Sequence, residues 1–263
     1  MNFDSETAEA EWMYLYGKVA PAALGATVAR IREGVIVHMR NDPINYWSQA
    51  LGFTEPVTAD LLDEILEHYR RENARTATLH FAPDLLPPDF SELAAERGIL
   101  ETWTKVKLGG EVADIKSAPT DFHIVPVTED DAAEFGETVL TGFGAPGTPL
   151  SEMIEASVGA PNCYPFAAWD GDTMVAGAVL FVHGEVGGLH SGSTLPEYRG
   201  RGAQSALISA RVDAAREAGC RWVVSETGLS TPEKPNSSYN NMRRAGLDEL
   251  YQRVVWRWTA PEA

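Results

Sequence analysis

The sequence predicts a mixed α/β chain of two domains, and three observations carry that expectation. β-rich apolar runs alternate with segments of helical apolar spacing along the whole length. At 263 residues and 44% hydrophobic, the chain can fill one large core or two smaller ones. A glycine-rich turn with two arginines joins a strand-like run to a helix-like one, in Leu195-Pro-Glu-Tyr-Arg-Gly-Arg-Gly-Ala-Gln-Ser-Ala-Leu207.

In chain order, residues 34–39 read as a strand, 60–71 as a helix, 77–81 as a strand, 90–97 as a helix and 99–108 as a strand. A polar stretch with a proline, residues 114–120, marks the linker. Residues 122–127 give the next strand. Thr128 stands where it can cap a helix whose first turn is Glu129-Asp130-Asp131, acids that the helix dipole favours there. A Gly- and Pro-rich loop covers 142–149 and a short helix 151–157. Two β-rich runs, 164–169 and 174–182, are joined by the turn Asp170-Gly171-Asp172. The next strand, 186–195, contains Gly187, Gly188 and Gly192, which point to a bulge or to close approach of a ligand. A helix over 203–218, a strand over 221–226, a helix ended by Gly246 and a strand over 249–258 complete the chain.

A strand, a glycine turn and a helix N-terminus together make a phosphate cradle. The first turn of a helix has unpaired N–H groups and partial positive charge, and glycines let an anion reach the backbone. The segment is no P-loop, because it lacks lysine, and Gly200-Arg-Gly202-Ala-Gln-Ser205 misses the third glycine of a dinucleotide fingerprint. It resembles the Arg/Gln-x-x-Gly-x-Gly/Ala pyrophosphate loop of the GNAT superfamily of acyl-CoA N-acyltransferases, with Arg199 and Gly202 in place and Pro-Glu-Tyr as lead-in. Gln204 departs from the family's Gly or Ala, and its side chain is expected to point outward. Asn236-Ser-Ser-Tyr239-Asn-Asn-Met242-Arg-Arg-Ala-Gly246-Leu247 resembles the family's last helix and the turn into its closing hairpin.

The resemblance implies a mixed, mostly antiparallel GNAT-type sheet flanked by helices, with acetyl-CoA as co-substrate. It implies CoA contacts at Thr194, Leu195, Arg199, Gly200, Arg201, Gly202, Ala203, Gln204, Ser205 and Asn236. A backbone N–H near Thr194 or Leu195 would polarise the thioester carbonyl, and the pantetheine arm would lie where the strand splays from its neighbour. Many members carry a tyrosine as general acid at the position of Met242. Tyr239, one helical turn earlier, is the geometric substitute. The candidate bases on the two splayed strands are His190 and Glu226. His123 and His183 have no ligand-spaced partners, so no metal is expected.

The first half aligns weakly with the second. Arg97-Gly98 matches Ala245-Gly246, and Trp103-Thr-Lys-Val matches Tyr251-Gln-Arg-Val, each helix having a proline-containing lead-in. The expectation is a pair of GNAT-like domains in tandem: residues 1–116 without a CoA loop, and 117–263 as the acyl-CoA-binding catalytic domain. Asn41-Asp-Pro-Ile-Asn-Tyr-Trp-Ser is read as the first copy's counterpart of the cradle, with neither glycine nor arginine. That copy would wall the substrate cleft.

A net charge of −17 argues against nucleic acid as a partner. No Lys or Arg lies between Ser117 and Tyr198, while acids recur there, which would draw a cationic small-molecule amine. No apolar run approaches the ~20 residues of a membrane span, and the acidic N-terminus lacks signal-peptide character. The two cysteines, Cys163 and Cys220, suggest reduced thiols in a cytoplasmic protein. Two functions fit: an acetyl-CoA-dependent N-acetyltransferase, or a non-catalytic CoA-binding sensor or interaction module, which the absence of a hydroxyl at Met242 permits.

Overall fold

The computed structural model describes the backbone of residues 2–261 and the side chains of residues 5–261. The chain is mixed α/β, its strands mostly antiparallel and flanked by helices, as the sequence predicts. The first half gives α1 (Asn2–Val19), β1 (Ala26–Ile31), β2 (Gly34–Met39), β3 (Gln49–Leu51), α2 (Ala59–Arg71), β4 (Thr76–His80), α3 (Phe90–Ala95) and β5 (Ile99–Glu111). The second gives β6 (His123–Pro126), α4 (Ala132–Phe143), α5 (Leu150–Glu155), β7 (Cys163–Asp170), β8 (Thr173–His183) and β9 (Val186–Thr194). It ends with α6 (Ala203–Glu217), β10 (Trp222–Gly228), α7 (Ser237–Ala245) and β11 (Asp248–Thr259).

Two compact units result. The first gathers residues up to Lys18, Ala22–Val106 and the chain from Tyr251 onward; the second gathers Val19–Pro21 and Lys107–Leu250. These bounds differ from the division at 116/117 read from the sequence, because most of β11 belongs with the first unit. There it pairs antiparallel with β4, Val255 opposite His80, a partner that no local pattern names.

In the first unit β1, β2 and β3 pair antiparallel, and β3 then pairs parallel with β4. A parallel step needs a crossover, and α2 supplies it. Thr58 caps that helix, its Oγ1 accepting from the Leu61 N–H. Its inward stripe is Leu61, Leu62, Ile65, Leu66 and Tyr69, all buried. The stripe packs with Phe53, Leu79, Phe81, Trp256 and Trp258 into one core. Each fully buried side chain of this size contributes about 1.5–3 kcal/mol. Across the unit, Arg253 of β11 is fully buried and holds two carboxylates of α1, Glu6 at 2.7 Å and Glu9 at 2.8 Å.

The second unit repeats this order. β6, β7, β8 and β9 pair antiparallel, and β9 pairs parallel with β10. The crossover is α6, which seats Ala203 and Leu207 on Ala168, Val175, Ala176 and Ala178. Thr128 does not cap a backbone N–H as expected. Its hydroxyl donates to Asp131 at 2.7 Å, residues 129–131 form a single 3-10 turn, and the α-helix begins at Ala132. Gly98 and Gly246 both follow a helix in the left-handed region, at φ +69° and +110°, so the aligned glycines share one backbone role.

Candidate functional site

The site begins where β9 and β10 part. Their parallel ladder runs through Trp222↔Val186, Val223↔Gly187 and Val224↔Gly188. One residue on, the Ser225 hydroxyl donates to Leu189 O at 2.9 Å, a side-chain bond where the ladder ends. Beyond it the two strands no longer pair with each other, although β9 runs on to Thr194 and β10 to Gly228. On the other side of β9 the pairing shifts, with Val179 opposite His190 but Gly177 opposite Ser193. Ser191 and Gly192 are thus the bulge that the strand's glycines forecast, and Ser191 sits at φ +50°.

The cradle closes the far end of β9. Gly200 and Gly202 adopt φ +78° and +92°, which only glycine takes without strain. Gly202 is the N-cap of α6 and carries no capping side chain, so the helix presents its first-turn N–H groups outward. Arg201, Gly202, Ala203, Gln204 and Ser205 supply backbone donors around that turn. This is a fitting seat for a pyrophosphate.

Side chains around the cradle are arranged differently from the sequence expectation. Gln204 does not point outward. It folds onto β9, donating to Ser193 O at 2.7 Å and to Thr194 Oγ1 at 3.2 Å. Gly192 makes room for it: a Cβ there would stand 2.8 Å from Gln204 Oε1. Arg199 braces the loop, donating from Nε to Thr194 O at 3.2 Å and from Nη2 to Gly142 O, near the C-terminus of α4, at 2.8 Å. Arg201 turns to Asp170 at 2.8 Å and lies over the rings of Phe122 and Tyr198.

The backbone donors of β9 also sort themselves. The Leu195 N–H is taken by Val175 O at 2.9 Å, which removes it as a polariser of a bound carbonyl. Antiparallel alternation then turns the Thr194 N–H away from β8. Gly142 packs close by, since a Cβ on it would come within 3.0 Å of Thr194 N.

His190 and Glu226 flank the point where the β9–β10 ladder ends. Each lies two residues beyond the pair Gly188↔Val224. The His190 ring lies over Gly188, 2.3 Å from where a Cβ would be. The Glu226 side chain is buried and faces the Lys107 ammonium across 3.8 Å, a partner that the sequence does not name. Only the pairing of β5 with β10 reveals it.

Asn236 caps α7, its Oδ1 accepting from Ser238 N and Tyr239 N at 2.9 and 3.2 Å. Its Nδ2 donates to Gly228 O and Thr227 Oγ1 at 2.7 and 3.2 Å. All four hydrogen-bonding positions of the amide are in use, so a side-chain contact with CoA would break one of them. The Tyr239 hydroxyl donates to the Glu249 carboxylate, and that bond raises the phenol above its ordinary range. Met242 and Leu247 are buried packing residues.

The first unit has its own strand-to-helix loop, residues 52–58 between β3 and α2. The segment compared with the cradle, residues 41–48, lies one connection earlier, between β2 and β3. The three-residue β3 is too short to show a strand pattern, which is why the register slipped. In the true loop the Glu33 carboxylate accepts from Thr54 N at 3.0 Å and Glu55 N at 3.1 Å. Burial works to raise this carboxyl, but those N–H bonds prevail and hold it below its ordinary value.

Burial pushes the Cys163 thiol up to about 12 and the Cys220 thiol upward as well. Among the described residues no cluster of His, Cys, Asp and Glu is arranged to hold a metal, and no helix is long and apolar enough to cross a membrane.

The sequence model of the Acetyltransferase (GNAT) family matches residues 127–231. No curated protein sequence matches the chain. Among solved structures, a GCN5-related N-acetyltransferase from Kribbella flavida superposes with TM-score 0.62 at 14% identity, over 97% of this chain and 95% of that one. A tandem GNAT protein from the clavulanic acid biosynthesis pathway superposes with TM-score 0.62 at 13% identity, over 99% and 96%. A third, from Sphaerobacter thermophilus, gives 0.62 at 16% identity, over 90% and 77%. Residues 127–231, which hold the bulge, the cradle and the end of the β9–β10 ladder, match the GNAT acetyltransferase family, and the whole chain has the fold of the GCN5-related N-acetyltransferases.

Proposed function

We propose that the chain is an N-acetyltransferase that moves an acetyl group from acetyl-CoA to the amine of a small cationic molecule. Its two halves are tandem copies of one fold, of which the second holds CoA. One observation carries the reading: a glycine cradle with open backbone donors stands at the end of a strand that has just parted from its parallel neighbour. The family match over that segment supports acyl-CoA as the donor. The acid-containing segment from Ser117 to Tyr198, without Lys or Arg, supports a cationic acceptor.

In this reading the pyrophosphate takes the first-turn N–H groups of α6, and the pantetheine arm runs between β9 and β10. The amine nitrogen attacks the thioester carbon, a C–N bond forms, and the C–S bond breaks. The sulfur leaves as thiolate and takes up one proton, while the nitrogen gives one up. Holding both reactants in line supplies much of the rate. His190 and Glu226, flanking the end of the β9–β10 ladder, are the groups that receive the amine proton directly or through water. Tyr239 retains its proton through neutral pH, as a donor to the leaving sulfur must, but shares it with Glu249.

The test is release of free CoA thiol from acetyl-CoA with a panel of polyamines, neutral amines and amino acids. Amine-dependent release, fastest for multiply charged amines, is expected. Binding of acetyl-CoA with no release from any amine would leave the CoA-binding module as the function.

A further inference from the structure

α6 carries a buried cation beneath the bulge of β9. Arg211 is 2% exposed, on the helix face that packs against β8 and β9. Its contacts are all backbone carbonyls: Nε donates to Leu207 O at 3.0 Å, and Nη1 to both Val179 O and His190 O at 3.3 Å. Among the described residues no carboxylate pairs with it. A buried arginine without a carboxylate is rare, because burial penalises the charge. Here burial lowers the guanidinium to about 9, still charged at neutral pH.

The place of those carbonyls explains the cost. Val179 and His190 are the last pair before the register shifts, so their carbonyls sit where the β8–β9 ladder is interrupted. The guanidinium binds both strands at once, at one edge of the gap. Its Nη2 lies 3.7 Å from where a Cβ of Gly192 would be, directly under the bulged peptide. A positive charge on His190 C=O also polarises the 190–191 peptide.

Resting on the acyl-transfer reading above, we propose that Arg211 is a positioning residue. It fixes the β9 bulge and thereby aims the backbone donor beyond it that faces away from β8, the Thr194 N–H, at the acyl carbonyl. It touches neither substrate; it acts through the strand. The arginine is thus required for turnover more than for donor binding, since the pyrophosphate cradle lies on the far side of the strand's end.

The experiment compares the full-length chain with Arg211→Lys and Arg211→Met. Acetyl-CoA affinity is read by calorimetry, kcat and KM by thiol release with an amine that the parent accepts, and bulge protection by amide hydrogen exchange. Removing one oxyanion donor typically lowers kcat by about 10²–10³-fold. A misaimed donor should approach that in Arg211→Met, with acetyl-CoA affinity within about threefold and faster exchange at residues 192–194. Lysine keeps the charge but reaches fewer carbonyls, so Arg211→Lys should restore part of kcat. Where Arg211→Met fails to fold, Arg211→Lys decides, and at least a tenfold kcat loss at unchanged acetyl-CoA affinity supports the proposal. An unchanged kcat in a folded variant, or an equal loss of affinity and kcat, overturns it. Failure of the parent itself to release CoA with any amine refutes the acyl-transfer reading, and the aiming role falls with it.

Discussion

Gln204 and Gly192 illustrate how a departure from a family pattern is absorbed by a neighbour. The family favours a small residue at the position of Gln204, and the amide here occupies space that Gly192 leaves open on β9, held by two hydrogen bonds. The two positions are therefore coupled. Gly192→Ala forces the amide off its partners and should cost about 1–3 kcal/mol in denaturant unfolding, the range for overpacking. In a Gln204→Ala background the same change should be close to neutral. Additive effects in this cycle would contradict the contact. The sequence disclosed both residues as oddities and gave no sign that they answer each other, because contact across a strand-to-helix turn depends on rotamer and register.

At the scale of elements, the loop between β3 and α2 joins a strand to a crossover helix as the cradle does, and the Glu33 carboxylate accepts two of its backbone N–H groups. The sign of its pH dependence follows from its lowered pKa. Its contribution is fully present above the ordinary glutamate value, about 4.3, and is lost as pH falls through the folded value. Glu33→Gln should lower stability at pH 7 by about 1 kcal/mol and converge with the parent in acid, as read from urea midpoints across pH. A constant offset at every pH would contradict this reading. Most regular elements of the second half were legible within one or two residues, since hairpin turns, alternating strands and the glycine caps are local signals. β3, β1 and α1 were not. β3 is too short to alternate, and the buried Ala8, Ala10, Trp12, Met13 and Tyr16 of α1 spread round much of the helix instead of forming one stripe. At the site, the cradle was readable because φ above zero demands glycine at fixed spacing. The engagement of Arg199, Arg201 and Asn236, and the Lys107 partner of Glu226, came only with tertiary pairing.

At the scale of the whole molecule, the two compact units exchange no simple boundary, because the last strand belongs mainly with the first. Its anchor there is the buried group of Arg253 with Glu6 and Glu9. Removing one partner of a buried ion pair leaves uncompensated charge, typically at a cost of 3–5 kcal/mol. Arg253→Met should destabilise the first unit by about that much, followed by the fluorescence of the buried Trp256 and Trp258. A change below about 1 kcal/mol would show that α1 and β11 are not held by this group.

In the proposed function one unit of the pair holds acyl-CoA, and it does so through the glycine cradle at the start of α6. The most direct measurement is calorimetric titration of the intact chain with acetyl-CoA, repeated on Gly202→Val. One site per chain is expected, with affinity at least tenfold weaker in the variant, whose side chain is forced into a left-handed position. No binding, two sites per chain, or an undiminished affinity in Gly202→Val would contradict it.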